Sequence, residues 1–339
     1  VDLKRNNIPF NVLTFSIKSN EIDDYLDKLK DLCVIKKNIY TSFGLCNQLN
    51  AIPMEVMDNA DVGLEIWIAD GVAKKVNDNL ILFDSPFGKW AFLSGIKGKR
   101  GASFNDQVIS VLEQSKSLLN DIGFSFTHLI RTWFYIGGIL EKEDGMLRYD
   151  ILNSVRNRFY NHIWHKKKDY PASTGIGMAG EGIIMEGIAI LPSSDISIKR
   201  IENPLQTSAY NYKTRYSPKF CRAALLEGKD LGIMFISGTA SIRKEKVVFP
   251  DDVEKQTIVT IENIKELISR ENLSRYGIDW KTCMEDIRFI KVYIKERELF
   301  PKVKSICKSY FDNIPQLYLK ADICRKELLV EIEAILIKD

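Results

Sequence analysis

The chain has 339 residues, 45% hydrophobic and 27% charged, which is ordinary globular material and enough for two compact units. Its 48 basic and 45 acidic residues leave a net charge of +3, too balanced for the basic footprint of a nucleic-acid binder. No apolar run approaches the roughly 18–20 residues of a membrane span, and Val1–Asn7 has no apolar h-region, so neither anchor nor secretory signal is expected and the cytoplasm is the expected compartment.

Cys33, Cys46, Cys221, Cys283, Cys307 and Cys324 show no Cys-x-x-Cys spacing, and there are only three histidines. Both facts argue against a zinc centre, and so long a chain does not call for a disulfide framework. The basic run His165–Lys168 reads as a solvated loop.

In chain order, residues 1–89 hold strand-like runs at Asn11–Phe15, Gly63–Ala69 and Leu80–Phe83, with one short helical pattern around Ile22–Leu32. They read as an elaboration that completes a first domain. From Trp90 an internal repeat begins. Trp90–Gly95 is an apolar strand ending in Ser-Gly, where glycine suits a tight exit turn. A helix follows on Gln107, Val108, Val111, Leu112, Leu118 and Leu119, then a strand at His128–Ile136. A second helix carries Ile151, Leu152, Val155 and Phe159, and Tyr170–Glu186 leads into the strand Gly187–Ile190.

The second copy runs the same way after a Ser-, Asp- and Pro-rich linker within Pro192–Gln206. Met234–Gly238 again ends in Ser-Gly, and Thr257, Val259, Ile261, Ile264, Leu267 and Ile268 make the helix. Asp286–Ile294 is the next strand. Leu299, Val303, Ile306, Cys307 and Phe311 form the second helix, and Pro315–Glu331 runs into Ile332–Ile335. Aligning Tyr170–Glu186 with Pro315–Glu331 makes Glu186 the counterpart of Glu331. The expected domains are residues 1–195 and 205–339. The fold class is α+β, each domain a mixed sheet with its helices on one face. In the last strand Val330, Ile332 and Ala334 share one face, Glu331, Glu333 and Ile335 the other.

Gly175–Gly180 matches G-x-G-x-x-G, but a strand-like run follows it where a dinucleotide site needs a helix. The glycines instead indicate a backbone path close to a ligand or a neighbouring strand. Glu331 stands among Leu328, Leu329, Val330 and Ile332. It is either an outer-face residue or a pocket carboxyl, and a desolvated one would serve as an acid near neutrality. Arg131 interrupts a strand of Leu, Ile, Trp and Phe and needs an anionic partner, from the protein or a ligand. Tyr210–Arg222 gathers tyrosines and arginines around Pro218; it is either a plain loop or a surface for planar carboxylates and rings. Cys324 is a candidate nucleophile or an inert thiol. No histidine stands near it, and His128, His162 and His165 lack a triad or metal partner by spacing.

The repeat unit resembles the RidA/YjgF family, with its chorismate-mutase-like fold. The resemblance rests on Ser-Gly after the first strand, the Val292-Tyr-Ile294 strand and the closing Val330-Glu-Ile-Glu-Ala334. Members of that family form trimers with clefts between subunits, so a monomer or a trimer is expected here. Imine deaminases among them carry an arginine upstream of the first Glu of the closing motif; counting back lands on Gln316, which speaks against imine hydrolysis.

The whole chain is more similar to the chorismatases, which fuse two RidA-like halves. The segments that carry this are Arg131–Tyr135, Tyr170–Gly177, Tyr216–Phe220, Phe235–Ser241 and Ala321–Glu333. What the resemblance implies is removal of pyruvate from chorismate without metal or organic cofactor, and with no nucleic acid or membrane as partner. Glu331 maps onto the family's acid and would protonate the enolpyruvyl methylene. Arg131 and Arg222, helped by Tyr135 and Tyr212, would clamp the substrate carboxylates. Ser173, Thr174 and Gly175 would line the ring. The position of Cys324 distinguishes subclasses; cysteine there resembles the 3-hydroxybenzoate formers, whereas Ala240 points towards a dihydroxycyclohexadiene carboxylate. The expected product is 3-hydroxybenzoate. A non-catalytic binder of small carboxylates and an imine deaminase are the alternatives.

Overall fold

A computed structural model describes residues 9–42, 51–69, 71–164, 169–229 and 231–338. The loop reading at His165–Lys168, and Cys46, lie outside these residues. Three sheets share the chain. The first is built from β1 (Phe10–Ile17), β2 (Val34–Thr41), β3 (Ala51–Ile52) and β4 (Val62–Ala69), in the order β1-β4-β2-β3, with α1 (Ile22–Lys28) between its first two strands.

The second sheet takes β5 (Ala73–Asn77), β6 (Leu80–Ser85), β7 (Gly88–Lys97) and β8 (Leu129–Gly137). The ribbon of β9 (Lys142–Glu143) and β10 (Met146–Leu147) stands apart, and β11 (Ala172–Met178) and β12 (Ile183–Pro192) complete the order β11-β8-β12-β7-β6-β5. Its helices are α2 (Phe104–Asn120) and α3 (Arg148–Ile163). Ser103 caps α2 by accepting the Asp106 N–H.

The third sheet contains β13 (Ser197–Ile201), β14 (Ala223–Glu227) and β15 (Gly232–Ala240), then, after the ribbon of β16 (Ile242–Arg243) and β17 (Lys246–Val247), β18 (Ile287–Ile294), β19 (Gln316–Lys320) and β20 (Val330–Lys338). The order is β13-β14-β15-β20-β18-β19. Its helices are α4 (Val253–Leu267), the short α5 (Arg270–Ser274) and α6 (Phe300–Tyr310). Asp252 caps α4, and Pro301 opens α6, where a missing N–H costs no helical bond.

These are three variations on one plan. In each sheet one parallel pair, β2/β3, β8/β11 or β18/β19, lies beside an antiparallel last strand, β4, β12 or β20. Residues 10–69 therefore form a sheet of their own, and only β5 and β6 join the second sheet; the expected elaboration of a first domain is corrected to that extent. Each sheet turns one face to its own helices. Val330, Ile332, Ala334 and Leu336 pack under α4 and α6, while Ile335 and Ile337 face a core common to all three sheets. Trp67, Trp90, Trp133 and Phe235 fill that core, with Trp67 stacked on Phe235.

Neither Ser-Gly ends its strand. Leu93 pairs with Gly187 and Ile96 with Met185, so Ser94-Gly95 is a bulge in β7. Likewise Ile236 pairs with Ala334 and Thr239 with Ile332, which places a bulge at Ser237-Gly238 in β15. Matching the bulges makes Glu186 the counterpart of Glu333, and Ile184 that of Glu331. The sequence alignment was displaced by two residues. A two-residue slip along a strand leaves every side chain on the same face, so the apolar pattern does not reveal it.

Candidate active site

Besides Glu331 on β20, the inward face of the last strand in each sheet carries one glutamate: Glu65, Glu186 and Glu333, opposite Asn38, Trp133 and Lys291. All three are buried, and three buried cations balance them. Lys36 Nζ lies 2.9 Å from Glu186, Lys291 Nζ lies 2.7 Å from Glu65 and 3.1 Å from Glu333, and Arg131 Nη2 lies 2.9 Å from Glu333. Burial alone would raise the Glu65 pKa; Lys291 and Lys36 outweigh it and hold that carboxyl at about 2.

Three residues expected in the site belong to this cluster instead. Arg131 spends its guanidinium on Glu333 and on Thr174 Oγ1, 2.6 Å away. Thr174 donates to Glu333 at 2.7 Å, and Tyr135 is buried with its hydroxyl 3.3 Å from that of Tyr40. Their side chains point into the common core, so the anionic partner that Arg131 required is supplied by the protein. The carboxylate-clamp roles of Arg131 and Tyr135, and the ring contact of Thr174, are corrected accordingly.

The other seven expected residues line one cavity. It lies where β11 of the second sheet meets β15 and β20 of the third, a junction fastened by the Ser173 N–H donating to Ser237 Oγ at 2.8 Å. Ser173, Gly175, Tyr212, Arg222, Ala240, Cys324 and Glu331 all face it. The inner space of about 60 Å³ shares Tyr149, Tyr212, Pro218, Cys324 and Arg325 with an outer chamber of about 650 Å³. A site of that combined size suits a small ring compound.

Glu331 sits on β20 between Ala240 of β15 and Tyr293 of β18. It is buried, which settles the choice between outer face and pocket. Burial, then the neighbouring Glu333 charge, push its pKa up to about 8, against the pull of Arg131 and Arg222. It therefore holds a proton at neutral pH. Burial and the nearby Glu331 also push the Cys324 thiol up to about 12, so Cys324 is present as a thiol and not as a thiolate nucleophile.

Two buried guanidiniums face the cavity without a carboxylate in ion-pair contact, although the Glu202 carboxyl lies near Arg222 and accepts its backbone N–H. Arg222 Nη2 donates to Tyr212 Oη at 2.7 Å and to the Thr207 carbonyl at 2.9 Å. Arg156, on the inner side of α3, donates to Asn153 Oδ1 at 2.7 Å. The Nε of each has no hydrogen-bond partner, and among the described residues neither forms an ion pair. A buried arginine left this way is a receptor for an anion. Arg156, Tyr149 and Arg325 were not anticipated from the sequence. Arg156 had a signal, because it interrupts the apolar stripe of Leu152, Val155 and Phe159 on α3.

No group of His, Cys, Asp or Glu among the described residues could hold a metal ion. Nor is any described helix long and apolar enough to cross a membrane.

Residues 65–189 match the family described as chorismatase FkbO/Hyg5-like, N-terminal, and residues 224–338 match endoribonuclease L-PSP. The chain is 31% identical to a 3-hydroxybenzoate synthase of Streptomyces hygroscopicus, over 83% of this chain and 83% of that protein. It is also 31% identical to a chorismatase of the same organism, over 79% of this chain and 78% of the relative. A crystal structure of a chorismatase superposes with a TM-score of 0.79 at 24% identity, covering 98% of this chain and all of that one, which extends the shared α+β fold to all three sheets. With a fold shared end to end and near one-third identity over most of its length, the chain belongs to the chorismatase family.

Proposed function

We propose that the protein removes pyruvate from chorismate and forms 3-hydroxybenzoate, with Glu331 as the proton donor. One observation carries this reading: a buried carboxyl whose pKa is pushed up to about 8 shares a cavity with two buried arginines that form no ion pair among the described residues. Chorismate is a dianion, and Arg156 and Arg222 answer its two carboxylates. The resemblance of the chain to a relative named 3-hydroxybenzoate synthase supports the choice of product.

In this reading Glu331 passes its proton to the methylene carbon of the enolpyruvyl ether. The ether carbon becomes an oxocarbenium ion, and the carboxylate left on Glu331 faces the new positive charge. The ring's 4-hydroxyl then attacks that carbon and loses its proton. The bond from the carbon to the C3 oxygen and the C4–O bond break, and pyruvate leaves with the former hydroxyl oxygen. Loss of the C3 hydrogen as a proton aromatises the ring and the C3 oxygen takes up a proton, giving 3-hydroxybenzoate with no net uptake of water. A dihydroxycyclohexadiene carboxylate would instead consume one water. Cys324 as a neutral thiol puts a weakly hydrogen-bonding surface beside Glu331, which disfavours an ordered water there. Ala240, directly across from Glu331, leaves room for the substrate ring.

The cavity draws Ser173 and Gly175 from residues 1–195 and Glu331, Ala240 and Arg222 from residues 205–339, so both proposed domains are needed. Three sheets around one core take the places that three subunits occupy in RidA trimers, which favours a monomer as the active unit. Incubation with chorismate followed by chromatography tests the reaction. Equal yields of 3-hydroxybenzoate and pyruvate support it; an inert mixture overturns it.

A further inference from the structure

Glu331 has to be protonated in the empty enzyme, yet it faces a cavity built to attract anions. Arg222 precedes β14, Arg156 and Tyr149 come from α3, and Cys324 and Arg325 from the loop before β20. The charges of both Arg131 and Arg222 favour loss of its proton. Until a dianion arrives, burial of the carboxyl opposes them first, and a fixed negative charge beside it adds to that.

We propose that Glu333 is the positioning residue that does so: a permanently ionised carboxylate, two places along the same strand, whose charge keeps the proton on Glu331. The proposal rests on the reading of Glu331 as the acid. Residues two apart on a strand share a face at about 7 Å. Five donors hold Glu333 in its charged form. Its Oε2 accepts from Arg131 Nη2 at 2.9 Å, Thr174 Oγ1 at 2.7 Å and the Tyr293 hydroxyl at 3.2 Å. Its Oε1 accepts from Trp133 Nε1 at 2.9 Å and faces Lys291 Nζ at 3.1 Å. With its lone pairs engaged, Glu333 has no room for a proton, even with burial and Glu65 acting against its ionisation.

The link to the acid is short. Thr174 Oγ1 also accepts the Gly238 N–H at 3.0 Å, and Gly238 lies against the Glu331 carboxyl. In the second sheet the matching glutamate, Glu186, sits two places from Ile184, so the same fixed charge there has no acid beside it. The pairing of a fixed anion with a proton donor occurs at the functional cleft.

The test is Glu333→Gln, read by the pH dependence of turnover and by the infrared carboxylic C=O band of ligand-free protein, assigned by its absence from Glu331→Gln. A charge at this range shifts the acid by about one to two pH units. The basic limb of kcat/KM should fall by that amount and the band at pH 7 should shrink from about nine-tenths of full intensity to about half or less. The kcat limb should move less, because bound dianion offsets the arginines. If Glu333→Gln does not fold, the pair Glu333→Gln with Lys291→Met keeps the core neutral and should shift both readouts the same way by less. A folded variant with limb and band unmoved overturns the proposal. If Glu331→Gln itself keeps turnover, the acid reading fails, while the band still reports whether Glu333 holds that proton.

Discussion

The Glu331 carboxyl fills the place where a side chain at residue 238 would begin: a Cβ added to Gly238 would overlap Oε1 of Glu331. The Ser237-Gly238 bulge in β15 brings bare backbone against the acid, and only a residue without a side chain permits it.

Gly238→Ala should therefore displace the carboxyl while leaving the core intact. Displacement of a reacting group by about 1 Å costs about a hundredfold in rate. We expect kcat to fall by about that factor or more, with a melting temperature within a few degrees of the parent, checked by steady-state kinetics and thermal unfolding.

Glu331→Gln should abolish product formation and change the pH dependence of stability. The Glu331 pKa is raised by folding from the ordinary value of about 4.3 to about 8. Its contribution is fully present below pH 4.3 and is lost as pH rises through 8, at about 1.4 kcal/mol per unit. The variant should match the parent near pH 4 and exceed it by up to several kcal/mol near pH 9, measured by urea unfolding.

Turnover should follow the same group. The protonated form is the donor, so kcat/KM should be flat below neutrality and fall tenfold per unit above about pH 8. A pH–rate profile whose basic limb is absent from pH 7 to 10 would contradict the assignment.

Arg156→Ala and Arg222→Ala should each lower kcat/KM by about ten- to a hundredfold, the loss of one charge-assisted contact of about 1.5–3 kcal/mol. Lysine at either position should recover little, because a point charge does not reproduce the planar fork. The comparison with Arg131 is informative: Arg131→Ala should chiefly reduce stability, since it leaves buried Glu333 with Lys291 as its one remaining ion-pair partner among the described residues.

Lys291→Met removes the cation shared by Glu65 and Glu333 and should cost about 3–5 kcal/mol in denaturant unfolding. In the parent, Glu65 is depressed to about 2, so its share of stability is present above about pH 4.3 and lost as pH falls towards 2. Acid unfolding in that window is the expected result.

That Glu331, Arg222, Tyr212 and Cys324 belong to one site was implied by the resemblance to the chorismatases. Period and composition along the chain were enough to order the strands and helices from Trp90 onwards and to set Val330, Ile332 and Ala334 apart from Glu331 and Glu333. Those features are local: they depend on alternation within one strand or on residue types crowded into one loop. Register was not legible, because a slip of two residues keeps every face unchanged, and so Glu186 was matched to the wrong glutamate. The first sheet went unrecognised as a third variation because it carries only the short α1 between its strands, and the periodic signal of longer helices is missing there. Tertiary packing alone decided which arginines meet solvent and which meet the core. Arg131 and Arg156 are both buried, but Arg131 pairs with Glu333 across a sheet–sheet interface while Arg156 faces a cavity. Partners two hundred residues apart in the chain are brought together by the fold, and no pattern within one strand encodes them.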